Sequence, residues 1–166
     1  MTHNLSISKI NSFDKNLQNA EQYCLQNDFK LTPKRKQVLS VLLAAEKALS
    51  AYELIDLFKN KFNRKISPMS AYRVLDYLTN ADLVHKIHLA NKFVICAHIG
   101  SYNSHKPAHL LFCQQCQQVQ EFPINPSVYK SFTNEIERTG NLFRSQNIEL
   151  NCICSRCSGH ISTVHN

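Results

Sequence analysis

Two Cys-x-x-Cys pairs limit what this chain can fold into more than any other feature of its sequence. The first pair is Cys113 and Cys116, the second is Cys154 and Cys157, and 37 residues lie between them. Four thiolates in this arrangement can surround one Zn²⁺ tetrahedrally and close a structural site. A thioredoxin-type redox motif uses a single pair in a βαβ setting, and no βαβ pattern precedes either pair here. We therefore predict a structural zinc site built from these four cysteines.

Length and cysteine count favour a metal over disulfides. A chain of 166 residues can form two small domains, and a domain of about 80 residues gains stability from a bound metal. The seven cysteines are an odd number and the first twenty residues are polar, so we expect neither disulfides nor a signal peptide. The longest apolar run, Val41–Ala45, is too short to cross a bilayer. We expect a soluble, cytoplasmic protein with no membrane partner.

Positive charge is concentrated in the first part of the chain. Residues 1–95 hold 14 Lys and Arg against 8 Asp and Glu, whereas residues 96–166 hold 5 against 4. A basic part joined to a nearly neutral, cysteine-bearing part indicates a phosphate-binding module next to a metal module. An evenly solvated basic surface is the alternative interpretation, so the motifs must decide between these two interpretations.

Helix signals fill the first half of the chain. Apolar residues recur at helical spacing from Phe13 to Asn27, which predicts a first helix. Polar and basic residues predict a turn over Asn60–Lys65, and a fourth helix is predicted over Met69–Asn80. Three later helices begin at cap signals, namely Thr32-Pro33, the capping box Ser50–Glu53, and Ser67-Pro68.

Two β-prone runs, Leu83–Leu89 and Lys92–Cys96, are separated by Ala90-Asn91 and predict a hairpin. Helices followed by a hairpin describe a winged helix-turn-helix, whose fourth helix enters the major groove. We predict that Arg73 on this helix contacts base edges and that Tyr72 contacts phosphate. An exposed solubilising charge is the alternative interpretation of Arg73.

Lys34 and Arg35 are further candidates for contact with DNA phosphates. They lie in the first turn of the second helix, where positive charge opposes the helix dipole. That cost favours a phosphate partner, whereas a solvated basic turn is the alternative interpretation of the same residues.

The remainder of the chain predicts a small αβ domain. Strands are predicted at His109–Cys113, Val119–Phe122 and Ile148–Cys152, with a helix over Ser127–Thr139. A loop rich in Ser, Asn and His precedes them. We therefore predict an α+β fold with a winged helix-turn-helix domain in residues 1–96, a hinge in 97–107 and a zinc-binding domain in 108–166.

A second set of metal ligands remains when the four cysteines of the pairs are set aside. His85, Cys96, His105 and Glu121 form a nitrogen, sulfur and oxygen set that Zn²⁺ accepts. These residues come from the wing, the hinge and the zinc domain, so one ion would link metal binding to domain orientation. The rival ligands for this set are His88, His98 and His109, and the sequence assigns no role to Cys24 or Cys152.

Five motifs in the same order resemble the ferric uptake regulator superfamily, and within it the zinc uptake regulator branch. They are Leu31-Thr-Pro-Lys-Arg35, Ser50-Ala-Tyr52, Ala71-Tyr-Arg73, Val84-His-Lys86 and the paired Cys-x-x-Cys motifs. The resemblance covers residues from about 20 to 160. An ungapped match places the hinge histidine at position 106, which is Lys106 here, so the third ligand is His105, His109 or His98.

The resemblance implies a homodimeric, zinc-responsive repressor of zinc-acquisition genes that binds double-stranded DNA at a two-fold operator. It implies a C-terminal dimerisation domain, two zinc ions per chain and no small-molecule substrate. It assigns the four paired cysteines to structural zinc, and His85, Cys96, a hinge histidine and Glu121 to regulatory zinc. Tyr52 and Arg73 correspond to DNA-contacting residues.

Three alternatives differ in their chemistry. An iron or peroxide sensor of the same superfamily is disfavoured because a thiolate in the second set prefers Zn²⁺ to Fe²⁺. A zinc hydrolase or deaminase needs an open ligand position and its own motif, and the sequence contains neither HExxH nor the deaminase signature. We therefore expect no enzyme. A zinc-stabilised interaction module is the remaining alternative.

Overall fold

The computed structural model describes residues 3–99, 109–144 and 147–159. Its contacts divide the chain into two compact units, Met1–Ser104 and His105–Asn166, which we call the winged-helix unit and the cysteine unit. Helices and strands together give the α+β class that the sequence predicts. The elements are α1 (His3–Gln26), α2 (Pro33–Ala44), α3 (Ala51–Phe62), α4 (Pro68–Asn80), β1 (Val84–Ile87), β2 (Lys92–Ile95), β3 (His109–Cys113), β4 (Val119–Phe122), α5 (Pro126–Arg138), β5 (Ile148–Cys152) and α6 (Ser155–Ser158).

The core of the winged-helix unit lies among its helices and the first hairpin. Leu39 of α2, Leu54 of α3 and Leu75 of α4 are each fully buried, and Phe93 of β2 is 1 % exposed. Burying each such leucine is worth about 2 kcal/mol relative to leaving it in water. Cys24 of α1 is also buried in this cluster, where it acts as a small apolar side chain.

Side-chain caps start three of the helices, as the sequence predicts. Thr32 accepts from Arg35 N at 3.5 Å, and Ser67 accepts from Ser70 N at 3.3 Å. Ser50 and Glu53 form the complete capping box, with each side chain accepting a backbone N–H of the other residue. These bonds satisfy amides that have no partner inside the helix.

Three predicted boundaries were wrong. Helix α1 begins at His3 rather than Phe13, because no Gly or Pro interrupts the polar first turns. Helix α3 continues through Phe62 into the predicted turn, because the Phe62 ring packs on Phe58 at 4.9 Å, and it ends at Asn63 in the left-handed region. The first strand ends at Ile87, so residues 88–91, rather than two residues, connect the hairpin.

The hairpin pairs β1 with β2 in antiparallel register, with His85 opposite Val94. It is joined to the segment between α2 and α3 through backbone hydrogen bonds in both directions between Leu49 and Phe93, at 2.7 and 2.9 Å. Helices α2 to α4 followed by this hairpin make the first unit a winged helix-turn-helix.

The cysteine unit contains a three-stranded sheet in the order β4-β3-β5. Strand β3 pairs antiparallel with β4 and parallel with β5. Because β3 and β5 run the same way, their carboxyl ends meet at one edge of the sheet. In the part of the chain that is described, no helix is both long enough and apolar enough to cross a membrane.

Candidate metal centre and nucleic-acid interface

The four paired cysteines come together at the edge where β3 and β5 end. Cys113 is the last residue of β3, and the turn after it carries Cys116. Cys152, the last residue of β5, lies in register with Cys113, and Cys154 follows two residues later. Parallel pairing of the two strands therefore delivers both Cys-x-x-Cys segments to one place.

The distances among these thiols suit a tetrahedral metal. All four Sγ atoms of the two pairs lie within 4.8 Å of one another, and Cys116 Sγ is 3.6 Å from Cys154 Sγ. Four thiolates at the usual zinc–sulfur distance are about 3.8 Å apart. The cysteines are all free thiols. The donor set thus fits one closed Zn²⁺ site, with no ligand position left for a substrate.

Backbone N–H groups also favour the thiolate form of Cys113, one of these four cysteines. Hydrogen bonds from the backbone N–H groups of Cys116 and Cys154 lower the pKa of Cys113 to about 6. The Cys154 N–H lies 3.3 Å from Cys113 Sγ. The hydrogen bond between the Cys154 and Cys157 side chains raises the pKa of Cys157 to about 12, because the proton stays on that sulfur. The backbone N–H groups therefore stabilise negative charge on Cys113, and the thiolate is the form that binds a metal.

His85 and Cys96 form a second group, within the winged-helix unit. The two residues offer a ring nitrogen and a sulfur within 4.8 Å of each other. His85 lies opposite Val94 in the hairpin, and Cys96 follows Val94 by two residues, so strand alternation puts His85 and Cys96 on one face. Cys96 is held there by its backbone N–H, which donates to Leu83 O at 3.0 Å.

Two other candidate ligands, Glu121 and His109, lie on paired strands of the cysteine unit. Glu121 lies in β4 opposite Leu110, whereas His109 lies opposite Phe122. Successive residues of a strand face opposite sides, so His109 and Glu121 point away from each other and cannot bind the same ion while β3 and β4 stay paired. His98 is exposed in the turn after β2, and His105 lies outside the described residues.

His109 instead belongs to an aromatic cluster. Its ring centroid is 5.6 Å from that of Tyr129 on α5 and 5.9 Å from that of Phe122. The side chain is buried, and burial lowers the pKa of His109. These contacts give His109 a packing role under α5.

Three of the five predicted DNA contacts, Tyr52, Arg73 and Lys34, are exposed. Tyr52, in the first turn of α3, is 64 % exposed, and Arg73 on α4 is exposed as well. Tyr72 is half-buried and its ring packs against the core cluster, so mainly its hydroxyl edge is left for a phosphate.

The two cations of α2 differ in their surroundings. Lys34 is exposed. Arg35 lies with its guanidinium carbon 3.2 Å from the centre of the Tyr77 ring and donates to Lys30 O at 2.6 Å. This stacking and hydrogen bond hold the segment before α2 against α4, so Arg35 has a structural role that its sequence position does not reveal.

Two features of the structure were not predicted. Lys92 of the wing donates to Glu53 of α3 at 2.6 Å, and two isolated charges in the sequence carry no signal of that bond. Helix α5 contains no buried residue, and it leaves Val128 59 % exposed and Phe132 46 % exposed. The four-residue spacing of this apolar pair indicates an apolar stripe on α5, but the sequence does not show that the stripe is left exposed.

Comparison with known proteins agrees with this arrangement. The model of the ferric uptake regulator family matches residues 26–153. The zinc uptake regulation protein of Escherichia coli (strain K12) is 31 % identical over 141 residues, which cover 85 % of this chain and 80 % of that protein. A solved zinc uptake regulator complexed with zinc and DNA is 28 % identical with a TM-score of 0.74, covering 89 % of this chain and 95 % of that one. The crystal structure of holo XcZur is 28 % identical with a TM-score of 0.69, covering 87 % and 97 % of the two chains.

Proposed function

Because the chain belongs to the ferric uptake regulator family, we propose that it is a zinc-responsive, DNA-binding transcriptional repressor of zinc-acquisition genes in the cytoplasm. The family and the similarity to zinc uptake regulators are as predicted, and a family of regulators agrees with the expectation of no enzyme. The observation that carries the proposal is the pairing of a basic winged-helix unit with a four-thiol cluster in one chain. The similar regulator complexed with zinc and DNA supports both partners.

We assign the four paired cysteines to one structural zinc ion. The thiols converge at the ends of β3 and β5, and a closed set of sulfur ligands suits permanent binding. The ion would supply stability to a small unit and no chemistry toward a substrate. Its loss is expected to unfold the cysteine unit.

The regulatory zinc site in this proposal combines His85, Cys96, His105 and Glu121. The support in the structure is the His85–Cys96 pair on one face of the wing. Among the candidates for the third ligand, strand alternation separates His109 from Glu121, so His105 and His98 remain and the proposal takes His105. Because these ligands come from both units, zinc bound here would bias their relative orientation.

In DNA binding, α4 is the proposed recognition helix. Arg73 is exposed on it and offers the two-pronged guanidinium that pairs with guanine. Tyr52 and Lys34 are exposed and suit phosphate contacts, and Tyr72 offers its hydroxyl. Arg35 is a weaker candidate because its guanidinium already stacks on Tyr77.

We further propose that the protein acts as a homodimer through the cysteine unit. Strand β5 is an edge strand of its sheet, and Leu150 on it is 46 % exposed. Together with Val128 and Phe132 of α5, it gives the unit apolar surface that a second copy would bury. A two-fold dimer matches a two-fold operator.

The experiment that tests this function measures DNA binding against free zinc. A labelled duplex, selected from a random-sequence pool by the zinc-loaded protein, is titrated in zinc buffers and followed by fluorescence anisotropy. We expect chelation to weaken binding by about 10-fold or more and Cys96→Ser to bind weakly at every zinc level. Cys24→Ala, which changes a buried cysteine with no metal role, should keep the zinc response.

Two results would contradict the proposal. Equal binding with and without chelator would remove the zinc switch. Recovery of binding at lower free Fe²⁺ than free Zn²⁺ would identify an iron sensor of the same family instead.

A further inference from the structure

The exposed face of α4 carries more than the arginine already discussed. Its buried stripe consists of Ala71, Val74, Leu75 and Leu78. The opposite stripe is exposed and follows helical spacing of four, three and four residues, namely Met69, Arg73, Asp76 and Asn80. Met69 therefore lies one turn before Arg73 on the same face of the helix.

Met69 is a large apolar side chain held out in solvent. It is 66 % exposed and, among the described residues, is not one of those that pack against the core cluster. The turn that carries it is fixed, because Ser67 caps the helix and Pro68 occupies its first position. A single exposed apolar residue is ordinary, but this one occupies the end of α4 that reaches base edges in a helix-turn-helix.

From this placement we infer that Met69 determines specificity by contacting the C5-methyl group of a thymine. The inference rests on the proposed DNA-binding function. Met69 and Arg73 are separated by four residues, or about 6 Å along the helix, and stacked bases are about 3.4 Å apart. The thymine therefore lies one or two base pairs from the guanine that Arg73 reads.

The chemistry of the groove selects this ligand. The major groove offers hydrogen-bond donors and acceptors on every base pair, and thymine adds an apolar methyl group. A thioether side chain has no donor and only a weak acceptor, so it cannot take part in the polar code. It can bury the methyl group, with a gain close to that of one buried methylene.

The test removes the methyl group and the side chain separately and together. In the duplex selected by the zinc-loaded protein, each thymine is replaced in turn by deoxyuridine, which lacks only the C5-methyl group. Replacing guanines by 7-deazaguanine locates the base read by Arg73. We expect one thymine per half-site, within two base pairs of that guanine, at which the wild type binds about fourfold more weakly after replacement. Met69→Ala should lose a similar factor on the thymine duplex and show no further loss on the deoxyuridine duplex.

Two matched variants complete the design. Met69→Leu keeps an apolar side chain and should keep the response to deoxyuridine, whereas Asn80→Ala, three turns away on the same exposed stripe, should change nothing. Thermal melting of each variant verifies folding, and the exposure of Met69 predicts no loss of stability.

Two outcomes separate the possible failures. The role of Met69 alone is overturned if DNA binding depends on zinc but Met69→Ala responds to deoxyuridine as the wild type does. It is also overturned if binding depends on zinc but no thymine gives a response. Absence of zinc-dependent DNA binding by the wild type overturns the proposed function and, with it, the role of Met69.

Discussion

Glu53 joins three parts of the winged-helix unit through one carboxylate. It accepts the Ser50 N–H at 2.8 Å, which closes the capping box of α3, and Lys92 of the wing donates to it at 2.6 Å. The ammonium nitrogen of Lys47 lies 3.2 Å from Oε1 of Glu53. These contacts lower the pKa of Glu53 from 4.5 to about 2, and the hydrogen bond from Lys92 makes the largest contribution.

Removing the Lys92 ammonium should raise the pKa of Glu53. Lys92→Met keeps the aliphatic stem and loses the charge, so we expect the pKa to move toward 4.5. A carboxyl group whose pKa is lowered by folding stabilises the folded unit. This stabilisation is complete at pH values above the pKa of the group in the unfolded chain, and it is lost as pH falls toward 2. The variant should therefore be less stable at neutral pH, by about 1 kcal/mol at most because the pair is partly solvated.

The measurement is a carbon-13 NMR titration of the Glu53 carboxyl group. At pH about 3, between the folded and unfolded values, the wild-type group should still be ionised, whereas in Lys92→Met it should be largely protonated. Lys47→Met is the matched control, because Lys47 is more exposed and its bond to Glu53 is longer. Indistinguishable titrations in wild type and Lys92→Met would show that the wing does not hold this carboxylate.

Single residues also show where sequence reasoning stops. The tetrahedral cysteine set could be predicted because its spacing repeats a ligand pattern. The stacking of Arg35 on Tyr77 could not, because those residues are far apart in sequence and neither carries a motif for the other. From sequence alone, a cation in the first turn of a helix indicates a phosphate ligand. Only the structure shows that the guanidinium of Arg35 stacks on Tyr77.

At the scale of elements, the three helix starts that carry a side-chain cap were predictable, whereas the register of the sheet in the cysteine unit was not. Thr32, Ser50 and Ser67 act over three residues, so local sequence contains the whole signal. The position of His109 depends on which β4 residue faces it, and that register is a long-range property. This is why the sequence left His109 open as a ligand beside Glu121.

Helix α5 should lose a dimer contact when its exposed stripe is charged. Val128 is 59 % exposed and one turn from Phe132, so Val128→Glu places a carboxylate in the proposed dimer interface, where apolar side chains are expected at the centre. We expect the dimer dissociation constant to rise by about 10-fold or more, because an unpaired buried charge costs more than 1.4 kcal/mol. Sedimentation velocity over a range of protein concentrations measures the change.

The matched control for α5 is Asn134→Glu. Asn134 is an exposed polar residue six positions along the same helix, away from the Val128 stripe, and the substitution adds the same charge. It should leave the dissociation constant unchanged. A wild-type protein that stays monomeric with zinc bound, or a dissociation constant that Val128→Glu leaves unchanged, would exclude the Val128 stripe from the dimer contact.

At the scale of the whole molecule, the two units differ in how they are stabilised. The winged-helix unit has an extensive apolar core of helices and hairpin. In the described part of the cysteine unit, α5 contributes no buried residue, and Leu110, Phe112 and Cys113 are the buried apolar residues of the sheet. A unit of about 60 residues with so small a core needs a metal or a partner to stay folded.

This difference predicts the order in which zinc leaves the protein. In the proposed arrangement, removing the structural ion would unfold the cysteine unit, whereas removing the regulatory ion would only shift the balance between folded states. Native mass spectrometry across zinc buffers should therefore show about two ions per chain at high free zinc and about one over a wide lower range. Circular dichroism at each step should show that folding is lost only with the last ion.

Two variants identify which ion is which. Cys96→Ser should hold one ion where the wild type holds two, and it should keep the wild-type thermal unfolding of its cysteine unit, because Cys96 lies in the winged-helix unit and outside the four-thiol set. Cys116→Ser removes a member of that set, so the cysteine unit should unfold at zinc levels that leave the wild type intact.

If both ions leave at one zinc level in the wild type, or if Cys96→Ser unfolds the cysteine unit, a permanent structural ion and a separate sensing ion cannot both be present. The DNA response would then have to arise from folding of the cysteine unit itself.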